Sequence, residues 1–327
     1  MDRSPNALLL VCADFNPALD LLRGLGMRIE VIYPADDPHT ALLTGDGRRV
    51  RLTSRPDAPP ASADLPDFLP EFVVTRAGTA SGEGRAGMHY RDLIPGRLGG
   101  RYIASHIRIA DGGPVADWVH YHRIAVQLIC VRTGWVRVVY EDQGEPFVMF
   151  AGDMVLQPPG IRHRVLESSP GLEVVEITCP ALHETFADHE MSLPDGGTDM
   201  TRDYGGQRFL HHVAAMSPWT EWHGAEAQAT AVSDASGGLV DARMIRPGAR
   251  PDIAVPPHDG ELVFGFVLEG SVRLDFGEGQ MLGPADAFVI PPGAAWRLTE
   301  ASDDLRLLHV TTGWMGRDQR ERTSAIE

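Results

Sequence analysis

His120-Tyr121-His122 is followed by four residues and Gln127, then by six residues and Gly134. Further along, Gly152-Asp153 is followed by four residues and Pro158-Pro159-Gly160, then by two residues and His163. Successive side chains on a strand alternate between faces. His120 and His122 therefore share one face, and Tyr121 points to the other. Gln127 falls just past a short connection, on the next strand. The Pro158-Pro159-Gly160 turn brings His163 in from a further strand. Three imidazoles and one amide oxygen suit one divalent transition metal ion, with Fe, Mn, Ni, Cu and Zn all admissible. Four protein ligands leave one or two positions open, which marks a catalytic rather than a structural metal site.

The two blocks resemble the paired signature of the cupin superfamily. That signature is HxH, three or four residues, Glu, six residues, Gly, and later G-D-x4-P-x-G-x2-H. The one departure at a ligand position is Gln127, where most cupins carry Glu. The resemblance implies a small double-stranded β-helix (jelly-roll-like) barrel, with His120, His122, Gln127 and His163 as the ligands. Glu would cancel one charge of a divalent ion and Gln does not, so the ion stays more Lewis acidic toward an anionic oxygen.

The pattern recurs without its ligands. Glu269-Gly270 and then Asp286-Ala287-Phe288-Val289-Ile290-Pro291-Pro292-Gly293 line up with Gly134 and with Asp153 through Gly160. Counting back from Gly270, the ligand places hold Pro256, His258 and Val263, and Trp296 stands where His163 does. One His cannot hold a catalytic metal, so the second barrel is read as structural. The alternative is an apolar ligand pocket walled by Trp296. The chain thus resembles a bicupin: a metal-binding barrel over 85–192, a linker over 193–206, a second barrel over 207–316 and a polar tail over 317–327. The fold class expected is mainly β.

Ahead of the barrels, residues 1–54 read strand, helix, strand, strand, strand. Ala7–Val11 is an apolar run, and a helix opens at Phe15 with Pro17 in its first turn. It stops at Gly24–Gly26. Met27–Tyr33 follows, then Thr40–Thr44 and Arg48–Thr53 about Gly45-Asp46-Gly47. This segment resembles a single βαβββ module of the vicinal-oxygen-chelate (glyoxalase-like) fold. It lacks a metal-ligand His on its first strand and is read as a docking or dimerisation element. Residues 55–84, rich in Pro and Ala at the start, are read as linker.

Lys+Arg 29 against Asp+Glu 45 gives −16. Nucleic acid and anionic membranes reward positive charge, so neither is expected as a partner. No apolar run is long enough to span a bilayer, and Leu8–Val11 is too short for a signal-peptide core. Three scattered cysteines (Cys12, Cys130, Cys179) read as reduced thiols of a cytoplasmic protein. A homodimer is expected from the bicupin resemblance alone.

Three functions remain open. The first is a metal-dependent dioxygenase, an oxidoreductase acting on a small cyclic or enolisable substrate; bicupins of this length with one competent site resemble ring-cleaving enzymes of the quercetinase type. The second is a non-redox isomerase, cyclase or lyase working through an enolate, for which His106 and Tyr121 are the candidate catalytic groups. The third is a non-catalytic, small-molecule-binding cupin. Trp118 is a candidate cavity wall. His183 and His189 are read as surface residues without a role.

Overall fold

The computed structural model describes residues 7–61, 64–84, 88–250 and 252–315. The tail at 317–327 lies outside them. Among the described residues the strands form four sheets, two to each barrel.

The N-terminal segment forms the elements expected: strand Leu8–Val11, helix Phe15–Gly24, then strands Arg28–Tyr33, Thr40–Gly45 and Arg48–Thr53. The helix buries Phe15 and Leu19 against Ile29, Ala41, Leu43 and Leu52. It ends where Gly26 takes a φ of +86°, a conformation that glycine adopts without a Cβ penalty. This head is not a separate layer. Arg28–Tyr33 pairs with Thr185–Ala187, which pairs in turn with His120–His122. The same sheet continues through His163–Ser168, Trp135–Tyr140 and Phe147–Phe150. The head therefore extends the histidine-bearing sheet of the first barrel.

The second sheet of that barrel runs Leu210–His212, Met154–Leu156, Val126–Thr133, Leu172–Cys179, Ile103–Ile109, His89–Asp92, Gly82–Glu83. The second barrel has one sheet of Thr220–Trp222, Ala225–Ala229, Val240–Arg246, Arg306–Thr312, Leu262–Glu269, Ala287–Ile290 and Val73–Thr75. Its other sheet is Ile253–Val255, Trp296–Thr299, Val272–Asp275 and Gln280–Leu282. A short helix, Val232–Ala235, lies between Ala225–Ala229 and Val240–Arg246.

Two strands lie across the boundaries read from sequence. Val73–Thr75, inside the segment read as linker, adds to Ala287–Ile290 of the second barrel. Leu210–His212, inside the segment read as the second barrel, adds to Met154–Leu156 of the first. Each barrel thus borrows a strand from chain on the other side of a linker.

The barrels meet face to face. Tyr102, Ala104, Leu128, Cys130 and Ile177 of the first share one buried cluster with Phe264, Phe266, Val289, Leu308 and Val310 of the second. Burying each large side chain here contributes about 1.5–3 kcal/mol. Arg101 crosses the interface to Glu261, with Nε 2.9 Å from Oε2 and Nη2 2.5 Å from Oε1. The Tyr102 hydroxyl donates to the same carboxylate at 2.9 Å. Among the described residues no helix is long and apolar enough to cross a membrane.

Candidate metal centre

The three histidines come together as their spacing predicts. His120 pairs directly with His163 across adjacent strands, and His122 follows on the same face as His120. One ligand nitrogen from each lies within 4.8 Å of the other two, and all three side chains are buried. Two glycines of the motif have the conformation their turns require, φ +80° at Gly134 and +77° at Gly160.

The far nitrogen of each ring is held. His120 Nδ1 donates to the Trp118 carbonyl at 2.7 Å, with Asp117 Oδ1 3.5 Å away. His163 Nδ1 donates to the Ile161 carbonyl at 3.0 Å, and His122 Nδ1 faces the Thr185 hydroxyl at 3.1 Å. A histidine that gives its Nδ1 proton to a neighbour presents a bare Nε2, the arrangement found around ligated metals. The donor set, with His120 and His163 in that tautomer, therefore fits a divalent cation. Thr185 sits on the strand that the head module flanks, so the head supports the His122 side of the cluster.

Gln127 is buried, on the strand expected. Its Oε1 accepts from Gln157 Nε2 at 2.6 Å, and the same amide nitrogen lies 3.2 Å from His163 Nε2. Gln157 Oε1 accepts from the Tyr140 hydroxyl at 3.0 Å. Burial pushes the Tyr140 phenol up from its ordinary pKa, which keeps that proton in place. Gln127 thus reaches the histidines through Gln157, which the sequence reading passed over. The signal was present: Gln157 shares a face with Val155, and both turn into the cavity.

The cluster lines a cavity of about 90 Å³. Its walls are largely hydrocarbon, among them Ile107, Ile129, Val138, Met149, Val165 and Val174, with Tyr140 alongside and Ala35 contributed by the head. Glu176 and Arg164 are the charged residues on the lining.

The structure brings neither candidate catalytic group to this cavity. Tyr121 faces outward, its ring stacked on Phe186 at 5.1 Å, with the Arg162 guanidinium over the ring at 4.3 Å. His106 lies on the opposite face of its strand, between the barrels, where Nε2 meets Glu173 at 2.9 Å and Nδ1 meets Arg91 at 3.1 Å. Burial, opposed by Glu173, pushes its pKa down to about 4. Trp118 stands edge-on to His120 at 5.3 Å and packs on the core of the head. His183, read as a surface residue, is buried with its ring edge-on to His122 at 5.5 Å. His189 Nε2 donates to the Ile29 carbonyl of the head at 2.7 Å. Cys130 and Cys179 are buried, and burial pushes the Cys130 thiol up to about 12, so it stays protonated.

The second barrel has no such centre among the described residues. Register equates Gln127, opposite Thr178, with Val263, opposite Thr311. Val255 pairs with Trp296 as His120 pairs with His163, so the place of the first histidine falls on Val255 rather than on Pro256. Trp296, Phe288 and Val263 fill the interior. His258 instead donates to the Thr312 carbonyl at 2.9 Å.

Neither a protein-family model nor a curated protein matches the sequence. Solved structures do match the fold. Salicylate 1,2-dioxygenase from Pseudaminobacter salicylatoxidans is 15% identical over 76% of this chain and 86% of its own, with a TM-score of 0.55. A putative glyoxylate-induced protein from Pseudomonas aeruginosa is 12% identical over 77% and 93%, with a TM-score of 0.55. A deletion mutant of Bacillus subtilis oxalate decarboxylase is 13% identical over 80% of each chain, with a TM-score of 0.51. The chain has the mainly β, two-barrel cupin fold that these proteins share.

Proposed function

We propose that this protein is a metal-dependent enzyme whose single active centre is the cavity of the first barrel. His120, His122 and His163 hold one divalent transition metal ion there, and Gln127, with Gln157 beside it, supplies the amide side of the site. The observation that carries this reading is the convergence of three buried imidazoles whose Nδ1 atoms all have partners. When bound, the ion supplies a Lewis acid that binds an anionic substrate oxygen.

The favoured chemistry is dioxygenation of a small cyclic or enolisable molecule. The hydrocarbon walls suit a ring, and the small volume limits its size. Salicylate 1,2-dioxygenase shares the fold, and one of its structures is a complex with gentisate. In this chain, Gln157 holds the Gln127 amide, and Tyr140 holds Gln157.

A second reading is a non-redox isomerase or lyase. It gains from Glu176, a carboxylate on the cavity lining that could take a proton beside a substrate carbonyl. Oxygen uptake by the metal-loaded protein against a panel of hydroxylated aromatic acids separates the two. Substrate-dependent uptake supports dioxygenation. Turnover under strict anaerobiosis, lost in Glu176→Gln, supports the second reading instead.

A further inference from the structure

The sheet that walls the metal cavity has a second face, turned toward the other barrel. Along His89–Asp92, Ile103–Ile109 and Leu172–Cys179, side chains such as Tyr90, Ile107 and Val174 face the cavity. Their neighbours in sequence, Arg91, His106, Arg108 and Glu173, line a separate pocket of about 290 Å³ at the seam between the barrels. Register sets these groups in rows: Arg108 lies between His89 and Glu173, and His106 next to Arg91. Arg132 joins from the strand beyond Glu173.

The charge balance of the pocket is unusual for this chain. The whole sequence is −16, yet three guanidiniums face one carboxylate here. Glu173 is held by Arg132, by Arg108 at 3.3 Å and by His106 at 2.9 Å. His106 uses both nitrogens, accepting from Arg91 and donating to Glu173, so it is neutral and adds no charge. Arg91 is buried, with its guanidinium on the Arg76 and Ala285 carbonyls at 3.0 and 2.7 Å. Asp286, the other acid that acts on Arg91, is already engaged: its oxygens accept from Arg76, the Ala77 amide and the Gly283 amide. Positive charge in a partly buried pocket is costly when uncompensated, and Glu173 offsets only one of the three.

We propose that this seam pocket binds a small doubly charged oxyanion, a phosphate or a dicarboxylate, held by Arg108 and Arg132 over the buried charge of Arg91. Arg108 is suited to this role because it spends one nitrogen on Glu173 and its side chain is 64% exposed at the pocket. Guanidinium groups match the spacing of paired oxygens. The site is independent of the metal, because a layer of β-sheet separates the two cavities.

The test is calorimetry and thermal shift on the whole metal-loaded protein with inorganic phosphate and, separately, with succinate. Binding of at least one anion, one per chain and weakened by added NaCl, is expected; which anion binds identifies the class. Arg108→Gln with Arg132→Gln should weaken it about tenfold or more. Glu173→Gln removes the one carboxylate and should tighten binding several-fold, a gain that a damaged fold does not mimic. His122→Ala with His163→Ala should leave the affinity unchanged. The proposal is overturned if neither anion binds at about 10 mM. It is equally overturned if the arginine variants bind as the parent does, or if the histidine variants lose binding, which would place the anion on the metal.

Discussion

Gly265 and Phe288 lie opposite each other in the second barrel, and the ring of Phe288 occupies the space where a side chain at Gly265 would go. A Cβ at Gly265 would lie 2.2 Å from that ring. The corresponding pair in the first barrel is Ile129 and Val155, both on the cavity lining. One barrel keeps its cavity because this pair leaves space between the sheets. The other is filled by Phe288, 5.4 Å from Trp296.

Gly265→Ala should therefore overpack the second barrel, at a cost of about 1–3 kcal/mol. Chemical denaturation measures this directly. Metal content per folded chain should not change, since the substitution is remote from the histidines. A stability equal to the parent would mean that the Phe288 ring has room to move.

His122→Ala and His163→Ala should each abolish metal retention while leaving the circular dichroism spectrum largely intact, because the barrel has its own apolar core. Elemental analysis by plasma mass spectrometry reads the result. Metal content matching the parent in either variant would remove these residues from the ligand set.

Gln127→Glu places a carboxylate where an amide now accepts from Gln157. It should slow metal loss on chelator challenge, by roughly tenfold in affinity or about 1.4 kcal/mol. No change would put Gln127 outside the coordination sphere, with Gln157 as its intermediary. Gln157→Leu then gives the complement. It leaves Gln127 Oε1 and the Tyr140 hydroxyl without their partner and should cost about 1–3 kcal/mol for each buried group.

Acid should destabilise the fold through two buried histidines. Burial, and then Arg243, push His309 down to about 3, and burial pushes His106 to about 4. In the unfolded chain a histidine takes up its proton near pH 6.5. The unfolded state thus binds more protons below that pH, so stability is complete above it and falls as pH drops toward each folded value. The slope is roughly 1.4 kcal/mol per pH unit for each histidine. Urea midpoints between pH 7 and 4.5 should show it, and His309→Leu should remove one histidine's share. An unchanged slope in that variant would contradict the burial argument.

Much of the histidine cluster was legible because a strand alternates and a proline-glycine turn has a fixed shape. His120, His122 and His163 needed no more than that. The head was legible for the same reason, from Pro17, Gly24–Gly26 and Gly45-Asp46-Gly47. Residues whose surroundings come from distant chain were not. His106 sits on a face that reads as polar and solvated until the second barrel covers it. His183 looks like a surface residue until the chain folds back against His122. Gln157 stands within the motif, but only its hydrogen bonds to Gln127 and Tyr140 disclose its part. Nothing local to Val73–Thr75 or Leu210–His212 says which sheet each strand will join.

Those two strands have a consequence for how the molecule can be taken apart. A cut in the 193–206 connection would leave the first barrel without Leu210–His212, and the edge of Met154–Leu156 open to chance pairing. The second barrel, started at residue 207, would lack Val73–Thr75 and expose Ala287–Ile290 in the same way. Although one barrel carries the histidine cluster and the other does not, the exchanged strands tie the two together, so neither is a free-standing cassette. The half without the histidines completes a sheet of the half that has them, and takes a strand from the other side of it in return.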